Sequence, residues 1–134
     1  MGFENKLKHL EFIQAIVNRM SVNSFLLKGW SVTLVAALFA LAAKDTRKEY
    51  VIVAYFPVLM FWVIDAYFLS QERLFRDLYD DVRTREADRV DFSMNTAPFR
   101  RWRNGWAACF LSFSLLLFYL SMASVMLIVL YLIK

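Results

Sequence analysis

The chain has 134 residues, of which 60% are hydrophobic, and its formal net charge is +4 at pH 7. Soluble domains are only about half apolar. Here the excess falls in three blocks, which excludes an ordinary soluble domain and leaves no room for a second folded one. With one cysteine and one histidine, and neither a phosphate-binding loop nor a nucleophile beside a base, the sequence predicts a single all-α membrane domain that is not an enzyme and needs no metal or cofactor.

Residues 3–22 are predicted to form an amphipathic helix, because their apolar side chains recur at helical spacing. That face consists of Phe3, Leu7, Leu10, Ile13, Ile16, Val17 and Met20. His9 falls on the opposite, polar side, where we expect a solvated side chain. Two placements of this helix stay open: it packs against another cytosolic helix, or it lies on the lipid surface.

Residues 24–43 and 50–69 are the first two predicted transmembrane spans, joined by a polar turn at 44–49. The first span carries a stripe of small residues that includes Gly29, Thr33 and Ala37. Small residues let helices approach closely in lipid. The stripe therefore predicts either packing within one protomer or a face that lines a pore between protomers.

Asp65 is the one acidic residue within a predicted span. An ionised Asp at mid-bilayer costs about 2.5–3.5 kcal/mol, and less near the end of a span. Lys28 lies at a matching depth on the antiparallel first span. Asp65 can therefore form a salt bridge with Lys28, stand in a ring at the mouth of a cation-conducting oligomer, or reach water without a partner.

Residues 70–105 are predicted to form a long cytosolic helical hairpin between spans two and three. Its first arm, helix 71–90, continues from the second span without Gly or Pro. Pairs four residues apart, such as Arg73 with Asp77, keep that arm soluble. Turn-forming residues follow from 91, and Pro98 falls in the first turn of the returning helix. The third span is predicted over 106–133.

The hairpin is rich in arginine around Trp102, and this cluster has two interpretations. It anchors the chain at the membrane interface, or it binds an anion, because Arg contacts phosphates and aromatic rings stack on bases. The candidate residues for an anion or nucleic-acid site are Arg83, Arg85, Arg89, Arg100, Arg101, Trp102 and Arg103.

Ser114, Ser121 and Ser124 bring hydroxyl groups into the third span. They either bond to the backbone of their own helix or form a weakly polar pore wall. Three spans are too few for a wide water path through one protomer, so conduction requires a homo-oligomer, and we favour a tetramer-like ring.

The distribution of Lys and Arg predicts the orientation of the three spans. The amino terminus and the hairpin share one side, which holds more Lys and Arg than the side of the 44–49 turn and Lys134. The positive-inside rule therefore places the amino terminus and the hairpin in the cytoplasm and the carboxy terminus outside. A tight re-entrant pair over 107–133 would add a fourth span, but no turn residues interrupt that run.

Two parts of the chain resemble a known family. The first comprises KLKHLEFIQ at 6–14 and FLLKGWSVT at 25–33, and the second comprises YFPV at 55–58, FWVID at 61–65 and QERLF at 71–75. Together they resemble small bacterial membrane proteins that accompany nucleotidyltransferases in anti-phage operons, such as the Hailong membrane effectors. The resemblance implies an oligomeric ion channel that depolarises the inner membrane and arrests growth. The carboxy terminus, which the positive-inside rule places outside, would then be periplasmic. It also implies control by single-stranded DNA or another oligonucleotide made by the partner enzyme.

We therefore expect a homo-oligomeric channel effector that is gated on its cytosolic side by an anionic nucleic-acid or nucleotide signal. Two other functions stay open. One is a non-conducting membrane anchor or scaffold that docks a cytosolic partner through the hairpin. The other is a holin-like pore, although the chain ends directly after a span and lacks the charged tail that a holin would favour.

Overall fold

The computed structural model describes residues 2–45 and 48–132, which are largely helical and include no strand. The long helices are α1 (Gly2–Asp45), α2 (Lys48–Thr84) and α4 (Phe113–Leu132), and the short helix α3 (Trp106–Phe110) precedes α4. Residues 85–105, here called the return limb, connect α2 to α3. Helices α1, α2 and α4 are each long and apolar enough to cross a membrane. This confirms the predicted all-α class with three helices of this kind; parts of the predicted 44–49 turn and of the third span lie outside the described residues.

Helix α1 joins the predicted amphipathic helix 3–22 and the predicted span 24–43 into one uninterrupted helix, which corrects the prediction of two elements. No Gly or Pro interrupts the chain near their junction. Ser24, a residue type that often caps helices, donates its hydroxyl to Asp65 of α2 instead. The 44 residues of α1 extend about 66 Å, roughly twice the ~30 Å of a bilayer core.

Helix α2 ends at Thr84, so the predicted helix 71–90 stops six residues early. Lys6 of α1 reaches the end of α2 and donates to the carbonyl oxygens of Arg83 at 3.0 Å and Arg85 at 2.6 Å. The last carbonyls of a helix have no partner within the helix, and a cation there also complements the helix dipole. The contact therefore stabilises the end of α2 where it stands.

The return limb is irregular rather than the second helix of a hairpin, which corrects that prediction. Its regular pieces are three short 3₁₀ helices, Ala87–Arg89, Ala97–Phe99 and Trp102–Asn104. Asp91, Ser93 and Asn95 each accept a hydrogen bond through their side chains from the backbone amide two residues later. Such local bonds compete directly with helix formation, and here they replace it.

The predicted third span over 106–133 is broken at residues 111–112, between α3 and α4. In an unbroken helix the carbonyl of Phe110 would accept from the amide of Ser114. Here it accepts from the indole of Trp62 at 2.9 Å. The rings of Trp62 and Phe110 also stack, with centroids 4.2 Å apart. The side chain of Trp62 thus takes the place of one helical hydrogen bond.

Two hydrophobic clusters hold the helices together. The span core joins α1, α2, α3 and α4 along their apolar lengths through Val35, Ala42, Val51, Ala54, Val58, Ala66, Cys109, Leu115, Tyr119 and Met126. The outer core joins the first half of α1, the second half of α2 and the return limb through Leu10, Ile13, Leu78, Val82 and Val90. The first half of α1 therefore packs on protein, which was one of its two open placements.

The outer core also corrects the prediction for His9. Its side chain is only 4% exposed rather than solvated. The return limb covers that side of α1, and the ring of Phe92 meets the His9 ring edge-on, with centroids 5.4 Å apart. Phe3 and Leu7, which the helical pattern assigned to the apolar face, are exposed instead.

Candidate functional site

The carboxylate of Asp65 is the most completely enclosed charge in the described part of the chain. Its side chain has no exposed surface. Lys28 approaches Oδ2 with its ammonium group at 2.6 Å, and the Tyr119 hydroxyl donates to the same oxygen at 3.0 Å. Ser24 donates to Oδ1 and also accepts from Lys28 at 2.8 Å. These four residues, the Asp65 cluster, connect α1, α2 and α4.

The helices position each member of the cluster. Ser24 and Lys28 lie one turn apart on α1, so both side chains reach the same face of α2. Tyr119 comes from α4, where its ring stacks parallel to that of Trp62 with centroids 5.7 Å apart. Trp62 is itself fixed by its hydrogen bond to Phe110. The Tyr119 hydroxyl is therefore held by a stack of rings rather than by a flexible contact.

The chemistry of this cluster is charge neutralisation. One carboxylate meets one ammonium and two hydroxyl donors, so the negative charge is paired and hydrogen-bonded, as a buried charge must be. Within residues 2–45 and 48–132, no group of three or more His, Cys, Asp or Glu side chains could hold a metal ion. Asp65 could attract another cation only if Lys28 moved away, so in this conformation the predicted salt bridge is formed and the carboxylate does not face open solvent.

The small and hydroxylated residues predicted to line a pore all lie on the outside of the protomer. Ser114 and Ser121 border an apolar groove of about 550 Å³ between α1 and α4, and Ser121 and Ser124 border a second depression on α4. Gly29, Thr33 and Ala37 are exposed elsewhere on α1. The structure therefore does not bring the six residues together within one chain.

Three of these hydroxyls bond to their own helix. Thr33 donates to the carbonyl of Gly29 at 2.9 Å, Ser121 to that of Leu117 at 2.5 Å and Ser124 to that of Leu120 at 2.8 Å. Such bonds satisfy a hydroxyl in an apolar environment without a neighbouring helix. A hydroxyl oxygen bound in this way still has acceptor capacity for water or an ion.

The arginines of the predicted anion site are all exposed but differ in their partners. Four of them form ion pairs within the chain: Arg83 with Asp80, Arg85 with Asp81, Arg89 with Glu86 and Arg103 with Asp77. Among the described residues, Arg100 and Arg101 form no ion pair, and Trp102 between them and Arg103 is 75% exposed. The surface free to meet an anion therefore narrows to Arg100, Arg101 and Trp102.

Asp77 fixes the return limb against α2, which the i,i+4 pattern did not indicate. It pairs with Arg103 at 3.1 Å and accepts from the buried Asn104 at 2.6 Å. Arg73, its predicted partner, donates to the carbonyl of Arg103 at 2.6 Å instead. Ser70 donates to the carbonyl of Asn104 at 2.5 Å. These contacts hold the end of the return limb beside residues 70–77 of α2.

Sequence reasoning missed Ser24 and Tyr119 as members of the Asp65 cluster. Serine is a residue type that often caps helices, and Tyr119 lies in an apolar run in which tyrosine is common. A search for donors at the depth of Asp65 on the other predicted spans could have found both, because a buried carboxylate needs more than one donor. A comparison of depths did pair Lys28 with Asp65.

Comparison of the chain with models of protein families, with curated proteins and with solved structures finds no match. Two features of the chain itself are left to indicate a function. One is the Asp65 cluster between the three long apolar helices. The other is the exposed pair of arginines beside Trp102.

Proposed function

We propose that this protein is a homo-oligomeric ion channel of the bacterial inner membrane that acts as an effector of anti-phage defence. The observation that carries the proposal is the Asp65 cluster, in which the buried Asp65 carboxylate of α2 bonds to Lys28 of α1 and to Tyr119 of α4 and so joins the three described helices able to span a membrane. The proposed activity is cation flow that depolarises the membrane and arrests growth. An anionic nucleic-acid or nucleotide signal at the cytosolic face controls it.

A buried charge pair is expensive in a membrane, which makes its presence informative. Ionisable residues within spans are rare and mark ion paths, proton relays or gates. A purely structural contact at this point could be apolar, because well-packed apolar residues often stabilise as well as a buried ion pair does. The pair therefore supports a role beyond holding the helices together.

Two of the three interpretations of Asp65, the salt bridge with Lys28 and the ring at the channel mouth, become two states of one channel in this proposal. In the closed state the carboxylate is neutralised by Lys28, Ser24 and Tyr119, as in the structure. In the open state α1 and α4 withdraw, and the Asp65 carboxylates of several protomers form a ring at the cytosolic mouth. Rings of acidic side chains favour cations. A ligand that prefers one state shifts the population toward it.

An oligomer is needed because three helices cannot enclose a wide water path. The exposed positions of Gly29, Thr33, Ala37 and the three serines fit contacts between protomers. Small residues favour close helix contact in lipid, and hydroxyls can offer oxygen atoms to a passing ion. A tetramer-like ring is the arrangement we favour, since closed cyclic symmetry places one copy of each face around the axis.

The proposed orientation places the amino terminus, the outer core and the return limb in the cytoplasm, and the carboxy terminus in the periplasm. The cytoplasmic side then carries eight arginines between residues 73 and 103, in agreement with the positive-inside rule. Arg100, Arg101 and Trp102 then face the cytosol and supply cationic and aromatic groups for an oligonucleotide. The resemblance to effectors paired with nucleotidyltransferases supports a nucleic-acid signal that the partner enzyme makes.

Planar-bilayer recordings of the purified oligomer test the proposal. We expect cation-selective current that a single-stranded oligodeoxynucleotide changes when it is added on the cytosolic side. Asp65→Asn should reduce cation selectivity, while the exposed Asp80→Asn should not. The double variant R100Q/R101Q should lose the response to the oligonucleotide, with Arg19→Gln on α1 as its control. Absence of current with and without the oligonucleotide would refute the channel.

A non-conducting membrane anchor is the second candidate, and a specific observation favours it. The hydroxyls of Thr33, Ser121 and Ser124 are bonded to their own helices, as expected for residues that only face lipid. An anchor predicts no toxicity on expression and capture of a cytosolic partner that depends on the outer core. A holin-like pore predicts lysis instead, so growth arrest without lysis separates it from the first proposal.

A further inference from the structure

A cavity of about 560 Å³ lies between the first half of α1 and the return limb. This size falls within the range of small-molecule sites in proteins. Its lining mixes apolar, amide, imidazole and ammonium groups and consists of Asn5, Lys8, His9, Phe12, Phe92 and Met94. None of these residues belongs to the Asp65 cluster or to the arginine surface.

The apolar side chains of this cavity are exposed where lipid cannot cover them. Phe12 is 64% exposed, and Phe92 and Met94 are also exposed. Phe12 precedes Ser24 by 12 residues of continuous helix, which corresponds to about 18 Å along α1. In the proposed orientation this distance places the cavity in the cytosol. Exposed apolar patches in water mark binding surfaces.

His9 adds a buried polar group. It is more than nine-tenths buried, and among the described residues its Nε2 atom has no hydrogen-bond partner. An unpaired buried polar atom is uncommon and costs stability. Because His9 also lines the cavity, a small shift of its ring when a ligand enters would give this atom a partner.

Phe92 adopts a backbone conformation that points in the same direction. Its φ is 57°, in the left-handed region that bulky residues seldom occupy. Strain of this kind concentrates at ligand clamps and switches. Here it holds an aromatic ring beside His9 and at the edge of the cavity. A glycine would adopt the same backbone without strain. The aromatic side chain is therefore the feature for which the strained backbone is tolerated.

We infer that this cavity binds a planar aromatic ligand that carries a negative charge. Phe12 and Phe92 offer surfaces on which a ring can stack, and the side chain of Asn5 can donate to and accept from the ring edge. Lys8 is the only Lys or Arg of the lining and forms no ion pair with the described residues, so its charge is available to the anion. The inference rests on the proposed function only for the position of the membrane.

Two sources share this ligand chemistry, a mononucleotide and an aromatic carboxylic acid. Ligand-observed NMR on the full chain in detergent distinguishes them, with adenosine 5′-monophosphate and indole-3-carboxylate as probes. We expect saturable binding of at least one of the two probes, about tenfold tighter than the binding of adenosine or ribose 5-phosphate. Adenosine has the aromatic ring without the charge, and ribose 5-phosphate has the charge without the ring. Binding of only one probe identifies the source. No saturable binding below about 1 mM for either probe, or equal binding of adenosine or ribose 5-phosphate, overturns the inference.

Matched variants locate the binding on this cavity. Phe12→Ala should weaken the bound probe at least tenfold, whereas Phe3→Ala, equally exposed on the same helix, should leave it unchanged. Lys8→Gln should weaken the charged probes toward the affinity of adenosine, with Lys44→Gln as its control. Unchanged binding in both F12A and K8Q contradicts the assignment.

Phe92→Gly separates binding from stability. The variant removes the ring and the strained φ together, so thermal stability should stay the same or rise while probe binding falls at least tenfold. Loss of stability with full binding would show that Phe92 only packs against His9 of α1. These measurements use no membrane potential or current, so their failure and the failure of the channel proposal can be told apart.

Discussion

The span core and the outer core join the same two helices by different physical means. The span core includes the hydroxylated Tyr119, which bonds to the fully enclosed, charged Asp65 beside it. In the outer core the buried side chains are Ile13, Val82 and similar apolar residues. Apolar burial drives association in water, but it gives little between helices in lipid, where the surroundings are equally apolar. The helix pair α1 and α2 can therefore depend on polar contacts at one end and on apolar burial at the other.

Neutral hydrogen bonds in the span core follow the same division. Trp62 donates to the carbonyl of Phe110, Trp106 to that of Val63 and Tyr55 to that of Ala123. Each bond joins an aromatic side chain of one segment to the backbone of another. In lipid such a donor has no water to bond with if the contact opens, so these bonds resist separation of the helices.

Asp65→Ala should cause the largest loss of stability and should break the span core. The substitution leaves the partly buried Lys28 without its counter-charge, and loss of one partner of a buried pair costs about 3–5 kcal/mol. Unfolding of the protein by titration in mixed detergent micelles measures this loss in the free energy of unfolding. The double variant K28M/D65L should recover most of the loss, because the uncompensated charge is gone. A cost below about 1 kcal/mol for D65A would mean that the carboxylate is not buried in the folded protein.

Ile13→Ala should cost about 2–4 kcal/mol, because it leaves a cavity among the buried apolar side chains of the outer core. Ile128→Ala on α4 is the matched control, since Ile128 is exposed and its truncation leaves no buried cavity. We expect less than about 0.5 kcal/mol there. Equal effects in the same detergent titration would remove the distinction between the two cores.

Trp62→Phe should cost about 1 kcal/mol, because it removes one hydrogen bond and keeps an aromatic ring for stacking. It also frees the carbonyl of Phe110 for the amide of Ser114. We therefore expect the break between α3 and α4 to close and the Ser114 amide to exchange more slowly with deuterium. An exchange rate identical to that of the original chain would show that the break has another cause.

Arg85→Gln should have the smallest effect, less than about 0.5 kcal/mol, because its pair with Asp81 is largely exposed to solvent. Added salt should make the two proteins indistinguishable in thermal unfolding. A larger loss would indicate that the carbonyl contact of Lys6 with Arg85 depends on the arginine side chain.

The three apolar segments of the long helices could be predicted from sequence, because hydropathy and length alone decide which segments suit a membrane. The matching depths of Lys28 and Asp65 on antiparallel spans were also readable. The end of α2 was not, because i,i+4 pairs contribute only a few tenths of a kcal/mol each and the contact that stabilises the end of the helix comes from Lys6, which is distant in sequence. Nor could periodicity place His9, since the return limb covers the polar side of α1.

Helix α1 is continuous and is bound to α2 at two distant points. Lys6 contacts the end of α2 and Lys28 contacts Asp65, about 33 Å apart along α1. Neither helix is interrupted between these contacts, so sliding of one helix past the other must break both contacts at once. Twisting or bowing leaves both intact. A twist applied at the Lys6 end of α1 is therefore transmitted along the helix to the Lys28–Asp65 pair.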